Sequence, residues 1–193
     1  MSESIQDIAN RSVCVGMNQY AITGAEDRKN VLVSGGAGDC IIVIMWNHSQ
    51  RRAFICHVDR STDVENLFKV TEPYIWAGNS SDEFELILAS QCFKLTGVKS
   101  AENFAGLNYQ DQGNYKRIMQ SKAKSKYNII SERTVTDPNA MVDLLQGVRA
   151  FGNKAKSVAK AGLVDFELNK QSEQLLPPKC VYNAYGKTTF SGF

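Results

Sequence analysis

Two apolar runs separated by a short polar turn are the feature that most constrains this chain. Residues 40–46 read CIIVIMW, and a continuous run of this length, rich in β-branched residues, predicts a strand buried on both faces. Residues 47–52 are polar and predict a turn, and residues 53–58 predict the returning strand. Such a hairpin brings the end of its second strand back to the start of its first, so we expect His57 to lie beside Cys40.

The segment before Cys40 is rich in glycine and predicts a turn with accessible backbone N–H groups. A short strand is expected at residues 31–34, and Gly35–Gly38 follows it with the sequence GGAG. Glycine tolerates positive φ and allows close approach of other groups. We therefore expect the backbone N–H groups of Gly38 and Asp39 to point into a common space, where they can stabilise the oxyanion of a tetrahedral intermediate.

Cys40 and His57 are the residue types of a thiol nucleophile and its base. A thiol attacks as the thiolate, so it needs a base or a favourable electrostatic setting. We expect His57 to accept the thiol proton and then to donate a proton to the leaving group. A third group usually orients the imidazole, and Ser34, Asp59 and backbone carbonyls are the local candidates. The alternative is a structural Cys40, because cysteine commonly packs as a small hydrophobe.

The composition predicts one folded domain without a membrane span. The chain has 193 residues, of which 43% are hydrophobic, so we expect a single domain over residues 1–193. Within it, residues from about 110 to 193 could be an elaboration that recognises the substrate. The formal net charge of +2 does not point to a nucleic-acid partner, and no apolar run reaches the length that spans a membrane.

Cysteine usage and the N-terminus together predict a reducing compartment. Five cysteines, an odd number with no Cys-x-x-Cys pair, argue against both a disulfide framework and a cysteine zinc site. The first residues are polar and acidic and lack the basic and apolar regions of a signal peptide. We expect a cytoplasmic protein, or one that is delivered into a host cell without a cleaved signal.

The remaining pattern predicts an α/β fold with a mixed or mainly antiparallel, sandwich-like sheet and helices packed on it. The clearest helix pattern begins at Asp137-Pro138, because Asp can cap a helix and Pro fits its first position. Apolar residues follow from Met141 at helical spacing, and Gly162 is expected to end the helix. A helical turn is expected at residues 64–68, and further strands at residues 12–23, 74–76, 84–90, 127–136 and 163–168.

The spacing of Ser34, Cys40 and His57 resembles that of the chemoreceptor glutamine deamidases of the CheD type. Those enzymes have a hydroxyl residue six positions before the cysteine and a histidine seventeen positions after it, around a glycine-rich turn and an apolar strand. The segment is even more similar to the protein N-terminal asparagine amidohydrolases, which add an Asp and then a Thr-Asp pair, here Asp59 and Thr62-Asp63. The cytotoxic necrotizing factors and related bacterial deamidase toxins share the same Cys–His core.

The resemblance covers about residues 31–68 and departs from the family pattern at one position. Asp39 directly precedes the cysteine, where a small or hydroxyl residue is more usual. A carboxylate beside a thiol disfavours the thiolate, so this departure bears on how readily Cys40 is activated.

The resemblance implies a CheD-like fold and hydrolysis of a Gln or Asn side-chain amide through a thioester, with release of ammonia. It implies Cys40 as the nucleophile, His57 as general base and acid, and Ser34 as an orienting or substrate-binding hydroxyl. It also implies a protein substrate that bears a reactive Gln or Asn, and a reaction that needs no metal or organic cofactor. A bacterial effector or toxin would fit the same description.

Two alternative functions remain open. A transglutaminase or a cysteine peptidase would use the same Cys–His dyad and differ only in the acceptor and the leaving group. A non-catalytic module could instead bind an acidic partner through basic clusters at residues 116–126 and 149–160, although such clusters are more often solvated surface. Two neighbours of the dyad are expected to be structural, with His48 exposed in the turn and Cys56 on the face opposite His57.

We expect Cys40 to be the most readily alkylated of the five cysteines, because it alone adjoins a polar glycine turn and has a base at hand. Iodoacetamide labelling of the folded protein, followed by peptide mapping, measures the order of reaction. Faster labelling of Cys14, Cys92 or Cys180 would count against a nucleophilic role for Cys40.

Overall fold

The computed structural model describes residues 2–17, 19–58, 81–95 and 127–170, and this part of the chain folds into two sheets and two α-helices. A 3-10 helix at Gln91–Leu95 follows the sixth strand. The elements in chain order are α1 (Ile5–Asn10), β1 (Ser12–Val15), β2 (Tyr20–Gly24), β3 (Val31–Ser34), β4 (Ile41–Asn47), β5 (Arg52–Val58), β6 (Glu83–Ala89), β7 (Asn128–Val135), β8 (Ala140–Asp143), β9 (Val148–Phe151) and α2 (Asn153–Lys170).

Both sheets are mixed. The four-stranded sheet has the order β1-β3-β8-β9, and its β1–β3 pair is parallel. The five-stranded sheet has the order β2-β5-β4-β6-β7, and its β6–β7 pair is parallel. All the other pairs are antiparallel. The predicted α/β class, with a mixed sheet and helices packed on it, is therefore confirmed.

The central core lies between the two sheets. Leu32 and Val142 of the four-stranded sheet and Ile42, Ile44 and Ile55 of the five-stranded sheet belong to one cluster and are fully buried. We call this cluster the intersheet core. The opposite face of the four-stranded sheet packs against α1 and α2 through residues that include Ile8, Val31, Val33, Met141, Ala155 and Val158. The order of layers is therefore helices, four-stranded sheet and five-stranded sheet.

Strand β4 is buried on both faces, as its unbroken apolar sequence predicts. Ile42 and Ile44 face the intersheet core, whereas Ile41, Val43 and Met45 belong to a separate cluster on the other face of the sheet. The predicted hairpin is also confirmed, because β4 pairs with β5 over their whole lengths.

The single strand expected at residues 12–23 is wrong, because two strands of different sheets occupy this segment. β1 joins the four-stranded sheet beside β3, and β2 joins the five-stranded sheet beside β5. The chain crosses between the layers at Gly16, whose N–H donates to the Gln19 side chain at 2.9 Å. Alternating polar and apolar residues continue through this crossing, so the pattern alone does not reveal the break.

The helix expected from Asp137-Pro138 is also wrong, because this segment forms β8, a turn and β9. Met141 packs under the helices and Leu144, which follows β8, packs in the intersheet core, so burial of positions i and i+3 in two different cores mimics one helical face. Two further residues of the supposed helical face, Leu145 and Val148, are 50% and 40% exposed.

The helix itself begins at Asn153 and passes through Gly162 into residues that were expected to be a strand. An ideal Cβ at Gly162 would lie 2.6 Å from Cys14 Sγ and 2.8 Å from Ser12 Oγ. Glycine is therefore needed there for close packing of α2 against β1, rather than for ending the helix.

Several predicted features lie outside the described residues: the helical turn at 64–68, the strand at 74–76, Asp59, the basic cluster at 116–126 and Cys180. Residues 127–170, which belong to the supposed elaboration, supply strands to both sheets and the longer helix. Neither helix in the described ranges is long and apolar enough to cross a membrane.

Candidate active site

Ser34 and His57 come from different sheets and meet inside the intersheet core. Alternation along β3 turns Val31 and Val33 toward the helices and therefore turns Ser34 toward the five-stranded sheet. His57 lies two positions after Ile55 of β5, so the two side chains share one face of that strand. Ser34 Oγ is 3.0 Å from His57 Nδ1, and the two residues are 1% and 4% exposed.

The partners of Ser34 determine which ring nitrogen of His57 carries the proton. Ser34 Oγ is 2.7 Å from the carbonyl oxygen of Val15, which can only accept. The hydroxyl proton is therefore donated to Val15, and Ser34 Oγ has only lone pairs to offer His57. It follows that Nδ1–H of His57 donates to Ser34, which leaves the lone pair of the neutral imidazole on Nε2.

The backbone of His57 is held at the same place. Its N–H donates to the carbonyl oxygen of Gln19 at 3.0 Å. Val15 and Gln19 flank the crossing between β1 and β2, so this one segment contacts both Ser34 and His57. The position of the imidazole therefore depends on how the chain passes between the sheets.

Cys40 lies on the same face of the hairpin as His57. In the ladder Ile42 is directly opposite His57, and Cys40 precedes Ile42 by two positions. Cys40 and Ile42 both belong to the intersheet core, and Cys40 is 6% exposed. Cys40 lies just before β4 and outside the ladder, so a contact between its thiol and His57 stays a prediction.

Cys56 occupies the other face, as predicted. It is opposite Val43 in the ladder and belongs with that residue to the cluster on the outer side of the five-stranded sheet. The adjacent side chains of Cys56 and His57 therefore lie on opposite faces of the five-stranded sheet. The thiol of Cys56 is fully buried.

The glycine turn, Gly35–Gly38, is held on two sides by distant parts of the chain. From one side Ala37 N donates to the Pro138 carbonyl at 3.0 Å, and Gly36 N lies 3.4 Å from Asn139 Oδ1. From the other side the 3-10 helix donates to the turn, with Gln91 N 2.9 Å from the Ala37 carbonyl. The sequence analysis missed these supports, because backbone hydrogen bonds between distant segments leave no local pattern.

The backbone N–H of Gly38 is engaged within the turn. It donates to the carbonyl oxygen of Gly36 at 2.9 Å, and Gly36 has a positive φ of 78°. A substrate oxyanion would have to replace the Gly36 oxygen to use this donor. The oxyanion roles of Gly38 and Asp39 stay predictions.

A carboxylate lies near the Cys40 thiol. Asp39 Oδ1 is 3.9 Å from Cys40 Sγ, and a carboxylate at this distance opposes ionisation of the thiol. Transfer of the Cys40 proton to His57 would offset that repulsion, because the imidazolium charge favours the thiolate. The thiol of Cys40 donates toward Asp39, and transfer of its proton to His57 stays a prediction.

Cys92 is a second buried thiol beside the glycine turn. Burial raises the pKa of Cys92 above its ordinary value. The hydrogen bond with Ser90 lowers this pKa to a lesser extent, and the Asp39 charge raises it further. Ser90 Oγ lies 2.7 Å from Cys92 Sγ. Cys92 therefore stays protonated at a pH where an ordinary thiol begins to ionise, which argues against it as the nucleophile.

A second polar cluster lies at the far end of β4, and the sequence analysis missed it. The Arg149 guanidinium is 3.9 Å from the centroid of the Trp46 ring and pairs with Glu85. The His48 ring stacks on Trp46 with centroids 5.8 Å apart. His48 therefore makes a ring contact that a fully exposed turn histidine would lack. β4 has seven residues, which places this cluster about 20 Å from Cys40.

Arg149 therefore does not belong to the basic surface of α2. The remaining lysines of that predicted cluster, Lys154, Lys156 and Lys160, are exposed. Across the described ranges, no three His, Cys, Asp or Glu side chains converge in a way that could hold a metal ion. The expectation of a metal-free reaction stays a prediction.

No protein-family model matches the chain, and no curated protein matches it. The function of this protein is therefore inferred from the residues around Ser34, Cys40 and His57 and from their local resemblance to the deamidases.

We expect neutral His57 to be the Nδ1–H tautomer, because Ser34 has only lone pairs to offer this nitrogen. Long-range nitrogen–proton NMR correlation spectra distinguish the two ring nitrogens, and His48→Gln assigns the signals of the two histidines. In Ser34→Ala we expect the preference for this tautomer to weaken. A wild-type His57 protonated at Nε2 would contradict the arrangement.

Proposed function

We propose that this protein is a cysteine-dependent amidohydrolase that deamidates a Gln or Asn side chain of a protein substrate. The observation that supports this most is the contact between Ser34 and His57, which leaves the lone pair on Nε2. His57 is thereby prepared to act as a base, and its ladder partner Ile42 belongs to the same core as Cys40. Packing of the hairpin does not by itself require a buried histidine that is hydrogen-bonded to the other sheet.

The reaction divides into formation of a thioester and its hydrolysis. His57 Nε2 takes the thiol proton, and the Cys40 thiolate attacks the amide carbon to give a tetrahedral oxyanion. His57 returns the proton to the amide nitrogen, the carbon–nitrogen bond breaks, and ammonia leaves. Ser34 accepts from Nδ1–H throughout and so keeps Nε2 directed to the reacting groups.

Hydrolysis of the thioester uses the same groups in the opposite order. His57 removes a proton from a water molecule, which attacks the thioester carbon. The carbon–sulfur bond then breaks, the thiolate regains the proton from His57, and a carboxylate replaces the original amide. The net change is amide plus water to carboxylic acid plus ammonia, so the reaction needs no oxidant or reductant.

The choice of a side-chain amide rests on the resemblance to the CheD-type deamidases and the N-terminal asparagine amidohydrolases. The hydroxyl, thiol and imidazole occur at the expected spacing, and the contact between Ser34 and His57 is compatible with their roles. The proposal includes a protein partner that bears the reactive Gln or Asn. It also includes a location in the cytoplasm of the producing cell or, for an effector, in a host cell.

The closest rival is acyl transfer to an amine or cleavage of a peptide by the same dyad. The chemistry up to the thioester is shared, and the acceptor decides between them. Within the described residues, a binding module for acidic partners is favoured by the three exposed lysines of α2. Such a module would not require the buried contact between Ser34 and His57.

We expect deamidation to disappear in Cys40→Ala and to fall in Ser34→Ala by about 10- to 10³-fold, the scale of losing a well-placed hydrogen bond in a site. The assay is intact mass spectrometry of Gln- and Asn-bearing peptides and proteins, where each conversion adds about one dalton by exchange of NH₂ for OH. Released ammonia is measured in parallel.

Cys56→Ala is the matched control, because it removes a neighbouring buried thiol from the opposite face of the hairpin. It should lower thermal stability but keep the turnover of the folded fraction. An active Cys40→Ala would rule out the proposal. Incorporation of an added amine in place of ammonia release with water would instead identify a transglutaminase.

A further inference from the structure

The peptide unit between Val15 and Gly16, which we call the crossing peptide, is hydrogen-bonded at both of its polar groups. Its carbonyl oxygen belongs to Val15 and accepts the Ser34 hydroxyl proton at 2.7 Å. Its N–H belongs to Gly16 and donates to Gln19 Oε1 at 2.9 Å. Because a peptide unit is planar, its N–H and its carbonyl turn together. The Gln19 side chain therefore fixes the direction of the carbonyl that accepts from Ser34.

The crossing peptide lies where the chain leaves the four-stranded sheet. Val15 is the last residue of β1 and pairs with Ser34 at the end of the β1–β3 ladder. Beyond it, Gln19 N donates to the Gly16 carbonyl at 3.0 Å, while Gln19 Oε1 accepts from Gly16 N. These reciprocal bonds close the crossing, much as the Glu or Gln of a capping box closes the start of a helix.

Gln19 also holds the backbone of His57. The Gln19 carbonyl accepts from His57 N at 3.0 Å. Tyr20 is opposite Cys56 in the β2–β5 ladder, so the bond between Gln19 and His57 continues this ladder by one pair. One residue thus contacts the crossing peptide through its side chain and the candidate base through its backbone.

The hydrogen bonds around Gln19 form a closed ring. It runs from the Gln19 side chain through the crossing peptide to Ser34 and His57, and it returns through the Gln19 carbonyl. Donors that are linked in this way polarise one another, so an amide whose N–H is hydrogen-bonded is a better acceptor at its carbonyl. Ser34 and His57 are buried, whereas Gln19 is half-buried and can be substituted near the surface of the fold.

The direction of the Val15 carbonyl decides the tautomer of His57. Ser34 has one hydroxyl proton, for which this carbonyl and the Nδ1 lone pair of His57 are competing acceptors. While the carbonyl accepts the proton, neutral His57 keeps its own proton on Nδ1. If the carbonyl turned away, Ser34 would donate to Nδ1, and the imidazole proton would move to Nε2. Nε2 would then have no lone pair with which to act as a base.

We infer that Gln19 is a positioning residue for His57, and that its side-chain oxygen selects the imidazole tautomer through the crossing peptide. Gln19 does not touch the reacting atoms and acts through Gly16, Val15 and Ser34. The consequence for catalysis rests on the proposed function. The consequence for the tautomer rests on the hydrogen bonds alone.

The experiment records long-range nitrogen–proton NMR correlations of the His57 ring in the full-length chain, at a pH where the ring is neutral. Gln19→Leu keeps a side chain of similar size but removes the oxygen, and we expect His57 to shift from Nδ1–H toward Nε2–H. Gln19→Glu keeps an oxygen at the same distance from the backbone, so it should retain most of the wild-type tautomer. This rescue distinguishes the acceptor from the bulk of the side chain.

Ser49→Ala is the matched control, because Ser49 Oγ likewise accepts from a backbone N–H, that of Glu83, at 3.0 Å. Ser49 is exposed and lies beyond the end of β4 that is remote from Cys40. The variant loses a hydrogen bond of the same kind, so its melting temperature should fall as in Gln19→Leu. Its His57 tautomer should stay that of the wild type.

A wild-type tautomer in a folded Gln19→Leu would overturn the inference. An equal change of tautomer in Ser49→Ala or in Gln19→Glu would overturn it too, since the effect would then not depend on an oxygen at position 19. If Gln19→Leu does not fold, the same criteria are applied to Gln19→Asn, whose oxygen is one methylene nearer its own backbone.

Ammonia release by the same proteins keeps this inference distinguishable from the deamidase. We expect turnover of the folded fraction to fall about 2- to 10-fold in Gln19→Leu, the scale of one hydrogen bond, and to be largely restored in Gln19→Glu. A changed tautomer without ammonia release from any substrate by the wild type would support the role of Gln19 and reject the deamidase. Ammonia release by the wild type with an unchanged tautomer in Gln19→Leu would support the deamidase and reject the role of Gln19.

Discussion

The burial of β4 on both faces is the constraint on which the rest of this structure depends. Strand side chains alternate with a period of two, so a shift by one residue would exchange the two faces. Ile42 and Ile44 would then leave the intersheet core, and Ile41, Val43 and Met45 would enter it. Since both faces are apolar, the close packing of differently shaped side chains on each face, rather than hydrophobicity alone, fixes the register that places His57 opposite Ile42. The position of the candidate active site therefore depends on how β4 packs.

The second requirement is a polar contact inside an apolar core. Burial of a hydroxyl or an imidazole without a partner costs about 1–3 kcal/mol in proteins, so the contact must be complete. Ser34 donates to the Val15 carbonyl and accepts from His57, which satisfies its proton and one lone pair. This chain of donors also joins the two sheets. A single set of hydrogen bonds therefore serves the stability of the sandwich and the orientation of the candidate base.

The parts of the fold that were predictable are those with strong local patterns. The run at residues 40–46 has only one good environment, and the pairing of His57 with Ile42 follows from the hairpin. The helix predicted from Asp137-Pro138 is wrong because a turn and a helix start share the same residues, and because Met141 and Leu144 are buried in different cores at a spacing that a helix would also show. The supports from Asn139 and the 3-10 helix depend on contacts between distant segments, which no local pattern records.

The most direct test of the account is whether Cys40 and His57 ionise as a pair. The thiolate of Cys40 is followed by its ultraviolet absorbance against pH, as the difference between wild type and Cys40→Ala, and the measurement is repeated in His57→Gln. If His57 takes the thiol proton, the thiolate appears at lower pH in the wild type than in His57→Gln, because the imidazolium stabilises it. Titration curves with the same midpoint in both proteins would contradict the central claim that these residues form a nucleophile and its base.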